Sequence, residues 1–372
     1  TEAEATAFGF AVDLSLSRDA GEDVSVTASA DATGVDGNGG GDTITNPSVT
    51  TVTATARAFP EAITLNLFDA ASANGSVQAT AGALGLDGGA DDDTVINTGT
   101  IDVDSEARVH QDFAVDVTLV DVTGGQVDTS IEASAMSVGI FGGSGQDGIE
   151  NHGTIESTAT SFISRTEDSY SAVGNLAVEA ALVADVQAIG IDGGEGDDAI
   201  TNFSTITVGS IASAVVNETS SSLVATDISS LDAGVTSQAF ASGIEGGSGD
   251  DTITNHNLIG VTATADTFMG TMIMSALSID NPLATASVAS APSAVAVATG
   301  IGAFRAGGIG WSWLESKLRR QDLTSLFCSE YCAAAHAHVG VFRTDHVSRW
   351  SPNRLVRTER RRGILLKPWR LK

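Results

Sequence analysis

The chain has 372 residues, enough for a large core, and a formal net charge of −29. That charge is divided: residues 1–302 carry four basic side chains (Arg18, Arg57, Arg108, Arg165) against 42 acids, whereas residues 303–372 carry 14 Lys/Arg against five acids. So acidic a body excludes nucleic acid as a partner, since phosphate recognition needs basic patches, and no apolar run is long enough to span a bilayer.

Residues 1–33 read as part of a repeat. Val24, Val26, Ala28 and Ala30 alternate with Ser, Thr and Asp, which is the period of a β-strand. A 13-residue motif then recurs five times: GVDGNGGGDTITN from Gly34, GLDGGADDDTVIN from Gly85, GIFGGSGQDGIEN from Gly139, GIDGGEGDDAITN from Gly190 and GIEGGSGDDTITN from Gly243. The starts lie 51, 54, 51 and 53 residues apart. A fixed period of this size marks stacked units that bury their apolar faces against one another.

Alternation resumes after each loop, as in Val52, Ala54, Ala56 and Ala58. A central apolar stretch follows, for example Ala62–Phe68, Phe113–Val120 or Met272–Met274. Small residues then lead back to the next loop: Ala79, Ala81, Ala83 before Gly85, and Ser237, Ala239, Ala241 before Gly243. Proline is scarce and no helical period appears, so each unit reads as loop, strand, turn, strand, turn, strand. The expected fold is all-β: a parallel β-solenoid of five ~53-residue repeats over residues 34–302, with a thin core of small side chains. One coil of such a solenoid takes roughly 20–30 residues, which leaves two coils or one large coil per repeat. The closing asparagines, Asn46, Asn97, Asn151, Asn202 and Asn255, are expected to align as an amide ladder.

The core of the motif, Gly-Gly-x-Gly-x-Asp-x-apolar-x, resembles the nonapeptide of RTX (haemolysin-type) calcium-binding proteins. Copies three to five fit it throughout; copy two has Asp91 at the third glycine, and copy one has Asn38 at the second. The resemblance implies that glycine carbonyls and an aspartate hold Ca²⁺ between adjacent turns. Carried over by position, the carboxylates are Asp42, Asp93, Asp147, Asp198 and Asp251, and the best-matched glycines are Gly193, Gly194, Gly196, Gly246, Gly247 and Gly249. Further acids lie close by, among them Asp36, Asp87, Asp92, Asp192, Glu195, Asp197, Glu245 and Asp250. Calcium accepts six to eight oxygens, backbone carbonyls included. In the family the nonapeptides run in tandem; here each is isolated, so a site needs loop stacked upon loop. The other reading is a plain tight acidic turn.

Other constellations point to nothing sharper. Thr51, Thr53 and Thr55 read as strand surface, and His110, His152 and His256 as exposed turn residues. No Ser/His/Asp set, Walker loop or dinucleotide fingerprint occurs. The sixth motif begins at Thr299-Gly300-Ile301 and breaks off after Ile301. Residues 303–372 have a foreign composition, which reads as a frame-shifted, disordered or weakly helical tail. Its Cys328, Cys332, His336 and His338 do not have the spacing of a common zinc finger.

Residues 1–302 contain no cysteine, so an exported form gains no disulfides. Bound cations are the expected source of stability for so acidic a chain. The chain begins at Thr1, inside repeat-like sequence, and is expected to be a piece of a larger protein. The reading is a secreted or cell-surface, calcium-stabilised stalk or adhesin-like segment of a bacterial protein. It has no enzymatic role, and its other ligands would be cell-surface groups or glycans. An autotransporter-type passenger without specific calcium is the alternative, favoured by the Asn-x-Gly-Thr-Ile segments at Asn97 and Asn151. A polysaccharide-acting β-helix enzyme is disfavoured, since four Arg and no Lys leave little to hold an anionic sugar.

Overall fold

Small apolar residues alternating with Ser, Thr and Asp favour extended backbone with one buried face, and each repeat forms one coil of three strands. The structure is a computed structural model describing residues 2–304 except 16–20, 67–71, 112–113, 121–124, 174–175, 226–229, 279–286 and 291. The third coil is representative. A short strand, Gly148–Asn151, follows the glycine loop. Two long strands complete the coil, Thr154–Val173 and Leu176–Asp192. Each pairs in parallel with its equivalents one coil before and one coil after.

Stacking produces three all-parallel sheets. The first long sheet runs from Glu2–Ser15 through Val49–Asn66, Thr100–Gln111, Thr154–Val173 and Ile206–Ala225 to Ile259–Ser278. The second runs from Gly21–Asp36 through Ser72–Asp87, Gly125–Phe141, Leu176–Asp192 and Ser230–Ser248 to Ser287–Ser290. The short sheet stacks Thr43–Asn46, Thr94–Asn97, Gly148–Asn151, Ala199–Asn202 and Thr252–Asn255. The fold is therefore a parallel β-solenoid, with one large coil per repeat. The unit differs from expectation in one respect. In coils one and five the central apolar stretch is not a strand of its own, since residues 62–66 and 272–274 continue the long strand begun just after the Asn corner, whereas in coil two it is a separate strand, Ala114–Val120. Leu67, Phe68 and Phe113 lie outside the described residues.

Thr1–Ala303 forms one compact unit, ending where the composition changes. Ser293–Phe304 pairs with Ser230–Ser248. The carbonyl of Gly300 lies 2.4 Å from where a Cβ on Gly243 would stand, matching the 2.5 Å of Gly243 over Gly190. The strand entering the sixth loop is thus in place. The rest of the tail, with Cys328, Cys332, His336 and His338, lies outside the described residues.

The core is thin. Ala54, Ala56 and Ala58 on the first long sheet and Ala79, Ala81 and Ala83 on the second are buried. Serines reach across: Ser161 Oγ donates to the carbonyl of Ala133 at 2.7 Å, and Ser237 Oγ to that of Asp266 at 2.9 Å. A serine that touches the opposite backbone puts the two sheets well inside the ~10 Å spacing of ordinary stacked sheets. Larger aliphatics sit on the short sheet, where Val95, Ile149 and Ile200 form one buried row.

Differences in repeat length are absorbed away from the glycine loops. Between coils three and four the offset is 51 at Val173↔Val224 but 53 at Ala177↔Ser230. The change occurs at the corner between the two long sheets.

The asparagines form the expected ladder. Asn46, Asn97, Asn151 and Asn202 each donate from Nδ2 to Oδ1 of the next Asn, at 2.9, 2.7, 2.7 and 2.7 Å. The same Oδ1 atoms accept from the backbone two residues on, as in Gly99 N–H to Asn97 at 3.2 Å. The ladder thereby also shapes each corner. Asn151→Ala would leave the buried Asn97 Nδ2 without its acceptor and take one of two donors from Asn202 Oδ1, at about 1–3 kcal/mol. It should lower the thermal midpoint by several degrees, whereas the same change at an exposed residue such as Thr45 should not.

One ionic cluster is buried among the described residues. Arg165 is fully buried, is ion-paired with Glu167, and has Nη1 3.3 Å from Glu218 Oε1. Burial pushes the Glu218 carboxyl up to about 7; Arg165 opposes the shift and Glu167 adds to it. A raised folded-state pKa means stability fully present below about 4.5 and lost as pH rises through about 7. Wild-type stability should therefore fall between about pH 4.5 and 7, and Glu218→Gln should flatten that slope by on the order of 3 kcal/mol in denaturant titrations.

Candidate metal centre

The glycine loop joins the second long strand to the short strand, and its backbone explains the motif. The second and third glycine positions have positive φ in every copy: Asn38, Gly89, Gly143, Gly194 and Gly247, then Gly40, Asp91, Gly145, Gly196 and Gly249. The two non-glycine occupants, Asn38 (φ 67°) and Asp91 (φ 76°), are of the types that best tolerate this region. The loops stack as tightly as the strands. Gly142 N–H donates to the carbonyl of Asp192 at 2.8 Å, Glu195 N–H to that of Gly143 at 2.8 Å, and Gly145 N–H to that of Glu195 at 2.8 Å. Gly194 likewise accepts from Ser248 at 2.8 Å. The second-position carbonyls of Asn38, Gly89, Gly143 and Gly194 thus already hold one hydrogen bond each, leaving a single lone pair for any other ligand.

The five motif aspartates form a column. Oδ1 of Asp93, Asp147, Asp198 and Asp251 accepts the backbone N–H of the aspartate one coil earlier, at 2.6, 2.8, 2.8 and 3.0 Å. Each carboxylate therefore caps a loop in the neighbouring coil, a role the motif alone does not reveal. The second oxygen is different. Oδ2 of Asp93, Asp147 and Asp198 is buried with no hydrogen-bond partner, in residues only 2% exposed. It packs over the first glycine: a Cβ on Gly88, Gly142, Gly193 or Gly246 would stand 3.0, 2.8, 2.6 or 2.5 Å from the Oδ2 of that copy's aspartate. Burial raises the Asp147 carboxyl and lifts that of Asp198 to about 6, opposed by the backbone hydrogen bond and reinforced by neighbouring aspartates.

A second acidic row lies just before the loops. Asp36 stacks on Asp87, Asp87 on Phe141, Phe141 on Asp192 and Asp192 on Glu245. Burial lifts Asp192 to about 6, with Glu245 and Asp251 adding repulsion. On the outer rim, Asp92 Oδ1 accepts from Gln146 N–H and Asp197 Oδ1 from Asp250 N–H, both at 2.8 Å. An open groove of about 450 Å³ lies there, lined by Asp92, Gln146, Glu195 and Asp197 among others.

Among the described residues no three Asp, Glu, His or Cys side chains converge on a point that would hold a metal by themselves. A bound cation would need carbonyls and water besides, which suits Ca²⁺ better than metals that require a closed side-chain set. The unpartnered Oδ2 atoms are hard oxygens and fit such an ion. The histidines lie elsewhere: His152, Phe203 and His256 form an exposed ring stack, with centroids 4.6 and 4.9 Å apart, and His110 meets Phe59 edge-on at 6.4 Å.

No protein-family model, no curated protein and no solved structure matches the chain.

Capping and charge are separable by mutation. In chelator, Asp147→Ala should cost about 1–3 kcal/mol, because the buried Asp93 N–H loses its acceptor. Asp147→Asn keeps an acceptor and removes repulsion, so its thermal midpoint should equal or exceed that of wild type.

Proposed function

We propose that this chain is a secreted or cell-surface structural segment, stalk or adhesin-like, of a larger bacterial protein, and that Ca²⁺ stabilises it at the Gly-Asp loop edge. The observation that carries the reading is the column of buried, unpartnered Oδ2 atoms on Asp93, Asp147 and Asp198. With Asp42 and Asp251 these are the residues that would hold the ion, helped by loop carbonyls. Bound calcium supplies positive charge where carboxylates stack, and its binding free energy adds to folding. Extracellular calcium modules bind at about 10⁻⁴–10⁻³ M, so the solenoid would gain its full stability only outside a low-calcium cytosol. The acidity of residues 1–302 and their lack of cysteine support export with a cation in place of disulfides. Cell-surface or glycan ligands remain part of the proposal through the stalk or adhesin-like role alone.

The loop hydrogen bonds favour a second reading, an autotransporter-type passenger that stands without specific calcium. The glycine edge is already tied coil to coil by its own backbone. Circular dichroism and thermal melting in EGTA and in millimolar CaCl₂ decide between them. Calcium should raise the midpoint by several degrees and sharpen the transition, while MgCl₂ should not. Identical cooperative curves in EGTA and CaCl₂ would leave only the second reading.

A further inference from the structure

The acidic row before the loops is not continuous, and the break makes the coil intervals unequal. Every interval between adjacent coils presents two loop aspartates and two residues of the pre-loop row. Between coils one and two these are Asp42, Asp93, Asp36 and Asp87, stacked in register. Between coils four and five they are Asp198, Asp251, Asp192 and Glu245. Both intervals between have Phe141 as a member of the pre-loop row, opposite Asp87 on one side and Asp192 on the other. They therefore hold three carboxylates, with an apolar ring in place of the fourth.

Two further observations point to a ligand in the four-carboxylate intervals. Asp93, Asp147 and Asp198 are each 2% exposed with a buried Oδ2 that has no partner, packed against the glycine that directly follows the pre-loop residue, and only at Gly88 and Gly193 is that residue an acid. Asp87 Oδ1 is likewise buried and unpartnered. The excess charge is largest where the orphaned oxygens have the most acidic neighbours.

Resting on the calcium reading above, we infer that divalent cations bind this solenoid at two separated zones, Asp36/Asp42/Asp87/Asp93 and Asp192/Asp198/Glu245/Asp251, and that Phe141 divides them. The pre-loop acids are then ligands or counter-charges that the nonapeptide pattern does not contain.

Isothermal titration of the full chain with CaCl₂ tests this, with thermal melting as the check on folding. Wild type should bind about two ions per chain. Asp192→Asn should remove one of them and leave the other at unchanged affinity. Phe141→Asp should raise the stoichiometry above two while keeping the protein folded, since Phe141 is only partly buried. Calcium binding whose stoichiometry neither substitution changes would overturn the two-zone inference and leave the calcium reading standing. Absence of any binding at millimolar CaCl₂ would overturn both.

Discussion

Everything in this solenoid answers to the in-register ladder between coils. Backbone hydrogen bonds fix neighbouring coils at about 4.8 Å, so each side chain meets its own repeat equivalents on both sides. For asparagine and isoleucine this is favourable, because amides chain together and methyl groups pack. For aspartate it is a conflict. Two carboxylates at that spacing repel by roughly 3 kcal/mol at an effective dielectric of 20. A hydrogen bond from a backbone N–H to a charged acceptor returns about 1.5–3 kcal/mol. Burial outweighs both and holds the Asp147 and Asp198 carboxyls above the usual carboxylate range.

The thin core follows from the same ladder. Alanine and serine rows let the two long sheets approach until a serine touches the opposite backbone. Little volume is buried per coil, so much of the stability must come from the rungs and the edge ladders. Arg165 is the exception, a charged side chain in a row whose other members are Gln111, Val216 and Met269. Its charge is countered by Glu167 and Glu218, which are buried with it, although Arg165 Nε and Nη1 make no hydrogen bond.

Sequence periodicity reveals most of this architecture. Period-two alternation fixes the strands, the motif spacing fixes the repeat, and the recurring Asn announces its ladder. The coil count is less accessible, because alternation looks the same on either side of a corner and only pairing shows where one lies. The glycine signature is more ambiguous than its resemblance suggests. Its second and third positions are required by positive φ, whether or not a cation is present. The capping role of Asp147 is invisible in sequence, since its acceptor geometry depends on a residue 54 positions away. Phe141 carried a signal that could have been read: it is the single non-acidic residue at its position among five copies.

The uneven repeat lengths give the molecule two unlike edges. On the glycine side, the register passes through every coil without slack, because loop, aspartate and asparagine all bind their successors. At the opposite corner, the offset changes by two residues between coils three and four and the pairing resumes undisturbed. Most inserted peptide is therefore kept to that flank, and the one exception, a residue gained in coil two within the first long sheet, also lies off the glycine edge: the offset from coil one changes from 51 at Ala58↔Val109 to 52 at Ala62↔Ala114. A lineage, or an engineer, can graft variable loops along that flank as on a rack, one per coil, without disturbing the ladders that keep the rod assembled.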